Sequence, residues 1–173
     1  MLEIKNYNSS ILHEISFLLK ENENLIILGE NGAGKSTLAK VLSNLILNDK
    51  VELLGENISK ISDLKRTQLI NYIPPKLSIF DEYVTLREFL ELSFIENVNN
   101  QKIDEVIKLL NLRKLEDKYC KSFSSGEKQL LLLASAIMHN AQITIFDELT
   151  ANLDISRLKE VFEIFNSNLL KQK

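Results

Sequence analysis

The sequence predicts an α/β fold: a mostly parallel sheet flanked by helices, with an antiparallel β portion at the N-terminus and a helical insertion further on. Three observations predict it. A uniformly apolar run at residues 25–28 enters the glycine-rich turn GENGAGKST at 29–37, and an apolar periodicity of three and four follows at once. A second apolar run, residues 143–146, ends in the acidic pair Asp147 and Glu148. Between them, from 86 to about 115, apolar residues recur at helical spacing.

Taken in order, residues 1–5 and 15–19 are short apolar runs bounded by polar turns and read as strands, as does 25–28. The last lacks alternation, as expected of a strand buried on both faces. Leu38, Val41, Leu42 and Leu45 fall on one helical face, so 36 to about 47 is a helix. Residues 51–54 form a short strand ahead of Gly55. Another covers 69–73 and is closed by Pro74 and Pro75, which cannot continue a ladder. Leu86, Phe89, Leu90 and Phe94 mark one helical face, and Ile103, Val106, Ile107 and Leu110 a second, with 97–100 between them. Residues 127–138 are apolar nearly all round and predict a buried helix, with 143–146 as the next core strand. Ile155, Leu158, Phe162, Phe165 and Leu169 predict a final amphipathic helix. A helix leaving a parallel strand feeds another such strand, so the chain is expected to stop within a β/α repeat, C-terminally incomplete. The expected organisation is one domain, with a core from 1–75 and 122–173 and a helical subdomain at 76–121.

A length of 173 residues suits one domain with a hydrophobic core and is short for two. A net charge of −3 offers no basic footprint, so nucleic acid is not an expected partner. The longest apolar runs fall short of a membrane span, and the N-terminus lacks a signal core, which predicts a cytoplasmic location. The single cysteine, Cys120, excludes an intrachain disulfide and reads as a bystander.

GENGAGKST matches the P-loop pattern of Gly, four residues, Gly, Lys and Ser or Thr. Its glycines let consecutive N–H groups surround phosphate oxygens at a helix N-terminus. The candidate nucleotide-binding residues are Gly29, Asn31, Gly32, Ala33, Gly34, Lys35, Ser36 and Thr37. Lys35 supplies charge to the β and γ phosphates and Ser36 a hydroxyl ligand to Mg²⁺. The chain is thus expected to have a P-loop NTPase core that binds a nucleotide with Mg²⁺. Asp147 and Glu148 end a strand at the edge where ligands bind. Asp147 fits the metal role and Glu148 that of the base acting on water, against the plainer reading of a solvated turn or helix cap. Ser124 and Glu127, in FSSGE at 123–127, have the spacing of a capping box.

FSSGE follows the P-loop, and its Ser124 stands 23 residues ahead of Asp147. It resembles the signature motif of the ABC ATPase family, which that family writes Leu, Ser, Gly, Gly, Gln. The resemblance implies that Ser124, Ser125, Gly126 and Glu127 contact the γ-phosphate of ATP held on the P-loop of a second ABC ATPase domain, so a homodimer is expected. Tyr7 lies 28 residues before Lys35, where the family places a ring that stacks on adenine; simple packing is the alternative. Asn152, Leu153 and Asp154 look like the family's D-loop, and Asp154 doubles as a candidate N-cap. Phe123, Ser125 and Glu127 depart from the signature, and Pro75 stands where the Q-loop glutamine is expected. Neither His13 nor His139 lies where the family places its switch histidine. These losses imply impaired hydrolysis.

The resemblance implies an ATPase subunit of an ABC transporter, peripheral on the inner face of the membrane, whose helical part meets a transmembrane permease. The stretch LLGENISKISDLKRTQLINYIP, 53–74, resembles ATPases of iron-chelate, haem and cobalamin importers. The alternatives are a soluble non-transport ABC ATPase, a small-molecule P-loop kinase, and a truncated copy that binds ATP without cycling.

Overall fold

The structure is a computed structural model, and it describes residues 1–78, 81–94, 97–148, 159 and 163. The elements are β1 (Leu2–Tyr7), β2 (Ile15–Leu19), α1 (Lys35–Leu42), β3 (Val51–Leu53), β4 (Glu56–Asn57), α2 (Asp63–Leu69), β5 (Ile70–Ile73), α3 (Leu86–Glu91), α4 (Asn100–Leu109), α5 (Ser125–His139) and β6 (Ile143–Phe146). The chain divides into two compact units, one of Met1–Tyr72 with Ala141–Asp147, the other of Ile73–Asn140 with Glu148. The final amphipathic helix expected from Ile155 to Leu169 lies outside the described residues.

In the first unit β1 pairs antiparallel with both β2 and β3, giving the order β2-β1-β3-β4. Leu2 and Ile4 of β1 and Val51 and Leu53 of β3 share one core with Leu38, Val41 and Leu42 of α1. Strand alternation would carry Asn6 inward next. Instead the β1–β2 register slips between Ile4 and Tyr7, with Asn6 at φ 47, and Tyr7 turns into the core. The β3–β4 hairpin turns through Leu54 and Gly55, both at positive φ, the geometry that matches strand twist. Ile143 and Ile145 of β6 pack against the same core, and β6 pairs with β5.

Two expectations change here, and one element is new. Helix α1 ends at Leu42 rather than near 47, because Ser43 Oγ donates to the Ala39 carbonyl at 2.9 Å and Asn44 adopts φ 58, a left-handed stop that leaves Leu45 exposed. Residues 25–28 are not a buried strand. They form no ladder among the described residues, and Ile26 and Leu28 are 72% and 87% exposed. An apolar run is buried as a strand only where neighbours supply edge hydrogen bonds and face packing. Helix α2, which no periodicity announced, starts on a Ser62 cap and buries only Leu69.

In the second unit α3, α4 and α5 pack on one another around Leu86, Leu90, Ile103, Ile107, Leu131 and Leu133. Arg87 ties them to the following loop through Glu116, at 2.6 Å, and Asp104. Lys102 Nζ donates to the Met138 carbonyl at 3.0 Å. Among the described residues no helix is long and apolar enough to cross a membrane.

Candidate functional site

The P-loop ends at Gly34, the N-cap of α1, with φ 87 and no side chain capping the helix. The Leu38 amide is the first to turn inward, donating to the Gly34 carbonyl at 2.8 Å. The amides of Lys35, Ser36 and Thr37 are thus the orphan donors of the first turn, and with the helix dipole they form an anion site. Lys35 folds back over the loop, its Nζ donating at 2.8 Å to the carbonyls of both Gly29 and Glu30. These contacts hold the ammonium at the loop's mouth. Asn31, Gly32 and Ala33 are exposed along that mouth, and the Ala33 amide donates to the Glu30 carbonyl at 3.2 Å.

Gly34 is fixed by more than its φ. A Cβ there would sit 2.8 Å from Leu12 Cδ2 and 2.9 Å from Ile11 Cγ2. Ile11 and Leu12 therefore press on the loop, a contact that no local pattern in the sequence announces.

Asp147, at the end of β6, is only 5% exposed. Ser36 Oγ donates to its Oδ1 at 2.9 Å and the Tyr72 hydroxyl to its Oδ2 at 3.0 Å. Burial, then the bond to Asp147, pushes the Tyr72 phenol up to about 12, so it is a donor at neutral pH. Among the described residues no three His, Cys, Asp or Glu side chains converge as a metal cage. The donor set suits Mg²⁺ all the same, since that ion is held by one or two carboxylates plus substrate phosphates rather than by an all-protein cage. Ser36 and Asp147 would supply adjoining hard oxygens to it.

Of the remaining candidates, Glu148 is exposed and holds φ 58, an uncommon left-handed backbone for a residue with a side chain. Tyr7 is 9% exposed and packs in the core, which leaves little ring for adenine to stack on; the register slip at Asn6 is the reason. In the second unit Ser124 is the N-cap of α5 and forms a complete capping box with Glu127. The Glu127 carboxylate accepts from the Ser124 amide at 2.8 Å and from its hydroxyl at 2.7 Å, bonds that hold it below the usual glutamate range. Ser125 and Gly126 open the helix beside it. His139 sits at the far end of that helix with Nδ1 buried and unpaired, and burial pulls its imidazole below the usual histidine value. Asp154 lies outside the described residues.

The fold and this loop define a P-loop nucleotide-binding protein. Residues 12–151 match the family described as ABC transporter. The chain belongs to that family. A putative ABC transporter ATP-binding protein of Clostridium tetani is 34% identical over 91% of this chain and 37% of its own length. An uncharacterized ABC transporter ATP-binding protein of Methanocaldococcus jannaschii is 31% identical over 94% and 67%. A zinc import ATP-binding protein of Ehrlichia chaffeensis is 30% identical over 90% and 61%, and a lactococcin-A transport/processing ATP-binding protein of Lactococcus lactis 32% over 91% and 24%. The chain thus spans between a quarter and two thirds of these relatives.

Among solved structures, a putative ABC transporter ATP-binding protein from Pyrococcus furiosus superposes with a TM-score of 0.81 at 22% identity, covering 98% of this chain and 84% of that one. A dimeric ATP-binding cassette bound to ADP and Pi gives 0.79 at 19%, covering 98% and 83%. At such identities the likeness establishes the fold.

Proposed function

We propose that this chain binds and hydrolyses ATP to power transport by a membrane permease. The observation that carries this reading is the Ser36–Asp147 contact at 2.9 Å beneath an uncapped helix N-terminus, which brings two hard oxygens beside the first-turn amides. Lys35 and the first-turn amides hold the phosphates, Ser36 and Asp147 hold Mg²⁺, and Glu148 takes a proton from the attacking water. Mg²⁺ held there would neutralise phosphate charge. The N-terminus of α5, from Ser124 to Glu127, meets the ATP of a second copy, and the dimer works at the inner face of the membrane. Asp154 takes the D-loop role in that dimer.

The finer reading is an importer of iron-chelate type; the zinc-import name of one relative favours import but not that cargo, and the lactococcin-A relative points to another. The test is purification of the chain from native membranes under mild detergent. A polytopic permease should co-purify in stoichiometric amount and stimulate ATP hydrolysis. Recovery only from the soluble fraction, with hydrolysis unaffected by membranes, would favour the non-transport reading.

A further inference from the structure

We infer that Tyr72 is the positioning residue of the metal site, holding Asp147 in the orientation that presents one carboxylate oxygen to Ser36. The inference rests on the reading of Asp147 as a metal ligand. An aspartate carboxylate turns about a broad, two-fold torsion, so its aim is set by its hydrogen-bond partners. Asp147 has one hydroxyl on each oxygen, Ser36 on Oδ1 at 2.9 Å and Tyr72 on Oδ2 at 3.0 Å. Ser36 belongs to the nucleotide-binding loop and is itself a proposed metal ligand. Tyr72 belongs to β5, the strand paired with β6 that carries Asp147 at its end. Its bond is therefore anchored by the sheet and does not depend on what the loop holds.

The chemistry of the donor matters as much as its place. A lysine or arginine in this position would share the carboxylate's charge and compete with a metal for it. A phenol fixes the carboxylate's direction and leaves its charge available. Burial of Asp147 to 5% exposure strengthens the bond and removes water as a substitute donor. Pro74 and Pro75, directly after β5, leave no side-chain amide in the next turn to take over the task.

The test is a titration of the whole chain with Mn²⁺ in the presence of a non-hydrolysable ATP analogue, with free Mn²⁺ read by electron paramagnetic resonance. Tyr72→Phe should raise the Mn²⁺ concentration at half-saturation by about 10- to 100-fold, the usual effect of losing an outer partner of a metal ligand. Affinity for the analogue in EDTA should stay unchanged. In an Asp147→Asn background the same change should add less than about twofold, because partners acting through one group are not additive. An unmoved half-saturation in Tyr72→Phe overturns the assignment. So does an equal loss in both backgrounds, which would mark a general structural role. If Asp147→Asn alone leaves Mn²⁺ binding intact, the metal-site reading itself falls, an outcome distinct from failure of Tyr72.

Discussion

Glu148→Gln is expected to lower ATP turnover by about 10²- to 10⁴-fold, the usual worth of a positioned general base, while ATP affinity holds. The substitution keeps the side chain's length and its capacity to hydrogen-bond, and removes only its ability to take a proton. The backbone at this residue is already committed to φ 58. Left-handed geometry at a residue with a side chain costs on the order of 1–3 kcal/mol and persists where the surroundings enforce it, commonly at functional sites. Glutamine accepts the same strain, so the loop geometry should survive. Phosphate release under steady state and equilibrium ATP binding separate the two effects. Parallel loss of both would make Glu148 a nucleotide ligand and leave the reaction without its base.

Gly34→Ala should weaken nucleotide binding far more than Gly32→Ala, although the two glycines share nearly the same backbone, φ 87 and φ 85. Both variants bear the cost of a left-handed alanine, about 1–2 kcal/mol. Only at Gly34 does the new methyl also meet Leu12 and Ile11, below 3.0 Å, while at Gly32 it points into open space. Relief of that clash must move the N-cap of α1 and with it the orphan amides that face the phosphates. Calorimetric titration with ATP should show Gly34→Ala reduced by more than about 100-fold and Gly32→Ala by about tenfold, taking 1.4 kcal/mol per decade. Equal losses would mean that Ile11 and Leu12 do not constrain the loop.

These residues differ in how far the sequence revealed them. The places of Lys35, Ser36 and Asp147 were legible because they follow from local pattern: a loop entering a helix and a strand ending in a carboxylate. Strand β6 falls on the residues expected, and the Ser124–Glu127 spacing forecast the cap that starts α5. What stayed hidden depends on single backbone irregularities or on partners distant in the chain. One bulge at Asn6 decides whether Tyr7 faces solvent or core, and one left-handed residue, Asn44, ends α1 ahead of its apolar periodicity. The bond from Tyr72 to Asp147 spans 75 residues and exists only because β5 and β6 pair. Nothing local to Tyr72 distinguishes it from a packing tyrosine. The run at 25–28 has the composition of a core strand, yet composition does not supply the neighbours that make one.

In the dimer proposed above, ATP on one copy's P-loop is completed by the α5 N-terminus of another. The Ser124 amide and hydroxyl both donate to the Glu127 carboxylate, which fixes the start of α5. Sedimentation velocity on the Glu148→Gln protein with Mg²⁺ and ATP reads that pairing. The expected result is a dimer that dissociates when ATP is replaced by ADP and fails to form when Ser124→Arg is added. A monomer under all three conditions, or a dimer indifferent to both ATP and Ser124→Arg, would contradict it.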